Sequence, residues 1–113
     1  MLQTNGRYGT RNKAFPLAAE ELGLNYSVQI NSNLLELKMM PKKGYRVIVC
    51  YYLFEGNMGH YGVIDRISDK SIWILDPWYG RRQYTLVSFF KVWNTPDRKL
   101  PDKDIRWFFA VKK

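Results

Sequence analysis

Gly59-His60-Tyr61-Gly62-Val63-Ile64-Asp65-Arg66-Ile67, then Ser68-Asp69-Lys70, then Ser71-Ile72-Trp73-Ile74-Leu75-Asp76-Pro77-Trp78-Tyr79-Gly80 is the stretch on which the fold turns. Two apolar runs flank a short polar segment; a Gly-His-Tyr triplet opens the first, and an Asp-Pro-Trp-Tyr-Gly turn closes the second. This pattern predicts an antiparallel hairpin, with strands over Gly59 to Ile67 and Ser71 to Leu75 and a turn at Ser68-Asp69-Lys70. In that register Gly62 faces Asp76, and period-2 alternation sets His60, Gly62 and Ile64 beside Ile72, Ile74 and Asp76. His60 and Asp76 become diagonal neighbours roughly 7 to 8 Å apart, and Gly62 leaves open space across from the acid. A loop of Asp69-Lys70 alone would slip the pairing by one residue and send the two groups to opposite faces.

His60 is the only histidine in the chain. An imidazole held near a carboxylate is the base-and-orienter half of a nucleophilic hydrolase site, because the acid fixes the ring's tautomer and stabilises its charged form. Each group also has a plainer reading. His60 starts a strand and can simply hydrogen-bond across it, and an Asp before Pro often opens a turn through bonds to the backbone. Trp78 and Tyr79 either flank a groove or serve as turn aromatics. The one thiol, Cys50, lies mid-strand between Val49 and Tyr51, which favours a buried structural cysteine over a nucleophile. Ser27, Ser32, Ser68 and Ser71 sit at caps or turns. One His and one Cys give no metal ligand set, and no cofactor is expected.

Composition bounds these readings. A chain of 113 residues is one domain, large enough for a modest core and near the lower edge for an enzyme cleft. Hydrophobic residues make up 46% and aromatics 16%, which selects a folded, sheet-rich protein over a disordered one. Eighteen basic against ten acidic residues leave a net charge of +8, favouring acidic partners or serving solubility. The basic residues are scattered and no nucleic-acid motif frames them, so nucleic acid is not an expected partner. A single cysteine excludes an internal disulfide. The longest apolar run, Val47 to Phe54, is too short to cross a bilayer, and Met1-Leu2-Gln3-Thr4-Asn5-Gly6 lacks signal-peptide character, so a cytoplasmic protein is expected.

Outward from the hairpin, Gly6 and Gly9 read as a loop, and a helix is expected from Asn12 to Leu22, lined by Phe15, Leu17, Ala18, Ala19 and Leu22 and stopped by Gly23. Residues 24 to 30 alternate like a half-buried edge strand. A second helix, capped by Asn31 or Ser32 and lined by Leu34, Leu35, Leu37 and Met39, should end at Pro41 and Gly44. Arg46 to Phe54 reads as a central strand covered on both faces. Thr85 caps a short helix that turns Phe89, Phe90 and Trp93 inward, Asn94 to Asp104 is a connection, and Ile105 to Val111 is the last strand. The fold class is α+β: two N-terminal helices and a mostly antiparallel sheet, interrupted by one short helix before the last strand.

Lys43-Gly44-Tyr45-Arg46-Val47-Ile48-Val49, Gly59-His60-Tyr61, Ile74-Leu75-Asp76-Pro77-Trp78 with Gly80, then Phe89-Phe90 and Trp93 resemble, in order and spacing, the second half of the papain-like cysteine peptidases that process bacteriocin leaders and their C39-like relatives. Ala14 to Leu24 resembles the segment that follows the nucleophile helix in that family. The resemblance implies a papain-like half-domain of a bacterial peptidase, His60 as general base, Asp76 as its orienting acid, and a substrate cleft beside the sheet at Gly59, Tyr61 and Trp78. Members of that family begin with an oxyanion-hole glutamine and a cysteine opening a buried helix, and no counterpart precedes Gly6; no cysteine follows Gln3 within its segment. Residues 1–113 are therefore expected to be a single peptidase-type domain, either truncated at its N-terminus or a pseudoenzyme, inactive as it stands. A missing helix would leave a hydrophobic trough for a partner chain or the missing segment. The alternative is a non-catalytic module binding a peptide or leader in a secretion or export system. Either way the partner is a peptide or protein.

Overall fold

The computed structural model describes residues 4–5, 9–10, 12–53, 58–77, 79–95 and 105–113. Eleven elements follow in order: β1 (Thr4–Asn5), β2 (Gly9–Thr10), α1 (Ala14–Glu21), β3 (Asn25–Gln29), α2 (Leu34–Lys42), β4 (Arg46–Leu53), β5 (Met58–Ile67), β6 (Ser71–Asp76), β7 (Gly80–Thr85), α3 (Leu86–Trp93) and β8 (Phe108–Lys112). Among the described residues, β1 and β2 form a two-stranded ribbon, and six strands form an antiparallel sheet in the order β3-β8-β4-β5-β6-β7. The architecture is α+β.

Both faces of the sheet are covered, by different helices. Val47, Val49 and Tyr51 of β4, Ile64 of β5, Ile72 and Ile74 of β6, and Phe108 and Ala110 of β8 face α2 and α3, where Leu37, Met40, Leu86, Phe89 and Trp93 close the larger core. The alternate residues of the same strands, Ile48, Cys50, Tyr61, Phe109 and Val111, face α1 and meet Phe15, Ala19 and Trp107. Period-2 alternation thus sorts the near-continuous apolar runs of β4 and β8 onto two cores. β8 lies between β3 and β4, which explains why Phe108, Phe109 and Ala110 are all buried.

The helices are shorter and more sparsely seated than their sequences suggest. In α1 the buried positions are Ala14, Phe15 and Ala19, while Leu17 and Leu22 are exposed. In α2 they are Leu37 and Met40, with Leu35 and Met39 turned outward. The α2 cap falls on Asn33, whose side chain accepts the Glu36 N–H at 2.8 Å. Asn31 instead takes a left-handed turn (φ 54°), donating its N–H to Ile105 at 2.9 Å. Pro41 lies inside the last turn of α2, and Gly44 takes the positive-φ position beyond it. Thr85 caps α3 through the Ser88 N–H at 3.1 Å, as its position before the aromatic run predicts. β7 and the β1–β2 ribbon have no counterpart in the sequence reading. Arg81, Arg82 and Gln83 give β7 no apolar alternation, and an edge strand needs none on its open face.

The β5–β6 hairpin differs at its tip from the three-residue turn expected. The Ser68 N–H donates to the Ser71 carbonyl at 2.8 Å, and Ile67 pairs with Ile72 and Arg66 with Trp73, leaving Asp69-Lys70 alone in the loop. By itself that loop would put His60 and Asp76 on opposite faces. A bulge between Ile64 and Arg66 prevents this: Asp65 is an extra residue on β5, and beyond it Ile64 pairs with Ile74 and Val63 with Leu75. The bulge restores the slipped residue, so the register at the far end equals the one a longer turn would have set.

Candidate functional site

At one end of the α3 face, apolar packing gives way to polar side chains. Tyr51 on β4 pairs with His60 on β5, and the two rings stack at 6.3 Å between centroids and 28° between planes. Asp76 ends β6 on the face that carries Ile72 and Ile74. His60 and Asp76 are both buried, at 6% and 4% exposure, so water alone does not solvate either group. The hairpin register places them on one face of neighbouring strands.

Asp76 is held at both oxygens. Its Oδ1 accepts the Tyr79 N–H at 3.2 Å, the turn-opening bond typical of an Asp before Pro. Its Oδ2 accepts the Tyr51 hydroxyl. Burial, and after it the hydrogen bond to Asp76, push the Tyr51 phenol well above the ordinary tyrosine range, so it remains a proton donor at any working pH. Tyr51 was read from sequence only as part of an apolar run. Pairing β4 against β5 would have found it directly across from His60.

Gly62 does not leave open space. A Cβ there would come within 2.4 Å of Ile74 Cγ2, 3.2 Å of the Tyr51 hydroxyl and 3.3 Å of the Leu75 carbonyl. The position is filled by its neighbours, and the absence of a side chain is what lets the Tyr51 hydroxyl reach Asp76 across β5.

Two more aromatic groups and a cation complete the end of this face. The Tyr79 ring lies 5.9 Å from His60, and Tyr84 on β7 meets the edge of Tyr51 at 6.3 Å. The Arg82 guanidinium sits 5.2 Å from the Tyr79 ring and 5.7 Å from the Tyr84 ring. His60, Tyr79, Arg82, Tyr84 and Tyr51 thus form a closed ring of contacts, and two of its members, Tyr51 and Tyr79, bond the Asp76 carboxylate. Arg82 and Tyr84, like Tyr51, carried no signal in the linear pattern, because β7 itself was not apparent.

Other sequence candidates fall elsewhere. Tyr61 is not brought to this face: strand alternation turns it toward α1, where it packs 5.0 Å from Phe15 and 5.7 Å from Trp107 and donates its hydroxyl to Asn12 Oδ1. Cys50 pairs with Tyr61 and shares that far face, half-buried in the α1 cluster and separated from His60 by the sheet. Gly59 pairs with Tyr52 immediately before His60. Trp78 lies outside the described residues. Among the described residues no group of three His, Cys, Asp or Glu could hold a metal ion, and no helix is long and apolar enough to cross a membrane.

The sequence model of the Peptidase C39 family matches residues 2–96, which spans both hairpin strands, the Asp-Pro turn and α3. The chain belongs to the Peptidase C39 family. Comparison with curated proteins finds no match.

Proposed function

We propose that this chain is a papain-like, peptide-binding domain of cysteine-peptidase type in which His60 is the general base and Asp76 the acid that orients it. A thiol brought beside His60 would lose its proton to the ring as it attacks the peptide carbonyl. His60 would then return that proton to the leaving amine, with Asp76 fixing the ring throughout. The observation that supports this most is the shared face of His60 and Asp76 in a chain of the Peptidase C39 family. Cys50 is the only cysteine in the sequence and lies across the sheet from His60, so these 113 residues are read as binding peptide without cutting it. Gly59 fits a role in the peptide groove through its backbone, next to His60.

The test combines binding and turnover. Peptides ending in small residues should shift the His60 ring signals in an NMR titration while no cleavage accumulates. Cleavage abolished by Cys50→Ser would overturn the non-catalytic part, and no peptide binding at all would overturn the whole reading. A leader-binding module of an export system rests on the same groove. It separates from the peptidase reading when a Gln-to-Cys segment encoded upstream of Met1, if there is one, is fused to the chain: cleavage by the fusion selects the peptidase, binding alone selects the module.

A further inference from the structure

Arg82 is a half-buried cation with no ion pair among the described residues. Its neighbour Arg81 points to the other face of β7 and pairs with Asp65 at 2.8 Å, whereas Arg82, opposite Ile74, lies on the face of His60 and Asp76 and makes no ion pair among the described residues. Two tyrosine rings, at 5.2 and 5.7 Å, hold the guanidinium in place. A guanidinium stacked on aromatic rings keeps its N–H edge for a planar anion, which is the geometry in which arginine binds carboxylate through two parallel bonds. The charge also reaches into the site, where it opposes the effect of burial on the Tyr51 phenol.

We infer that Arg82, clamped between Tyr79 and Tyr84, is an anion subsite that takes a carboxylate of the bound peptide, from either an acidic side chain or a free C-terminus. The inference rests on the peptide-binding reading above. Tyr79 bridges the two positions, touching His60 on one side and Arg82 on the other, so a peptide lying along His60 would bring a neighbouring residue over Tyr79 to the guanidinium. Tyr79 is 44% exposed, so a peptide can reach its ring from solvent.

Three hexapeptides of one sequence test it: one with a central Glu and an amidated end, one with Gln in that place and an amidated end, and one with Gln and a free terminal carboxylate. Each is titrated by NMR at low salt into the whole chain, wild type, Arg82→Gln and Arg82→Lys. One of the acidic probes should bind wild type about tenfold more tightly than the neutral probe, the range for a charge-assisted pair that keeps some water. Which acidic probe gains identifies the source of the carboxylate. Arg82→Gln should erase the difference in affinity between acidic and neutral probes, and Arg82→Lys should keep only part of it, having charge without the planar fork. Equal affinity of wild type for all three probes overturns the subsite and leaves peptide binding standing. Failure of every probe to bind overturns both. If Arg82→Gln does not fold, the wild-type comparison and Arg82→Lys still decide.

Discussion

The two faces of the sheet are made by alternate residues of the same strands, yet they end differently. On the α1 face, Phe15, Tyr61, Trp107 and Phe109 pack ring against ring at 5.0 to 5.7 Å, and the aromatic layer continues from β8 to β5. On the α3 face an apolar layer of Val47, Val49, Ile64, Ile72 and Ile74 stops at β4–β6, and Tyr51, His60 and Asp76 take its place at one end. The difference teaches that the candidate site is a polar edge of a core, not a feature of the loops. Burying a carboxylate there is costly unless its oxygens are satisfied; the Tyr51 hydroxyl bonds one from the core layer and the Tyr79 N–H bonds the other from the turn after β6. Cys50 and His60 illustrate the same sorting: ten residues apart in sequence, they are kept on opposite sides by the period of the strand.

The contrast is broken most strongly from the α1 side. Trp107 is 2% exposed and touches Phe15 and Tyr61, and its backbone carbonyl accepts the Trp93 indole N–H at 2.9 Å. Trp107→Ala should lower the unfolding free energy by about 3 to 5 kcal/mol in a urea titration, the cost of emptying a large aromatic site. In the folded fraction, the His60 ring signals should stay near their wild-type positions. If they move as far as those of Tyr61, the two faces are not independent.

A smaller effect sharpens the contrast from the α3 side. Tyr51→Phe removes one donor from the buried Asp76 and should cost about 1.5 to 3 kcal/mol at neutral pH. It should move the His60 signals while leaving Trp107 untouched. Its pH dependence has a definite sign. The Tyr51 phenol is raised in the folded protein, so its contribution is fully present below the ordinary tyrosine value near pH 10 and is lost as pH rises from there toward the folded value. Wild type should therefore lose stability more steeply than Tyr51→Phe above about pH 10. Parallel loss in the two proteins would mean that the phenol is not held by the acid.

What the sequence made legible, and what it hid, follows the same physics. The β5–β6 pair and the cap at Thr85 were readable because alternation and cap chemistry are local. β7 was hidden because Arg81, Arg82 and Gln83 carry no apolar period on an edge, and with it went Arg82 and Tyr84. Tyr51 was hidden because a strand buried on both faces shows no alternation, so its partner could only be found by pairing β4 with β5. The buried faces of α1 and α2 were misjudged because Leu17, Leu22, Leu35 and Met39 are apolar yet exposed, a choice that composition cannot distinguish from core.

The smallest expected effect tests how the site's register is set. The sequence alone made the length of the turn decide whether His60 and Asp76 share a face. The structure has the shorter turn, with Asp65 as the residue that compensates for it. Deleting Asp65 would join Ile64 to Arg66 directly. The pairs Ile64 with Ile74 and Arg66 with Trp73 would then become consecutive rungs of a regular ladder, and every residue beyond them would keep its face. The losses would be the exposed pair of Asp65 with Arg81, worth about 1 kcal/mol or less, and the local twist that a bulge adds. Stability should therefore fall by no more than about 1 kcal/mol, and the contacts between the Tyr51 and His60 rings should survive in NOE spectra. Loss of those contacts would mean that the bulge shapes the site beyond its register, by bending β5 so that His60 and Asp76 converge.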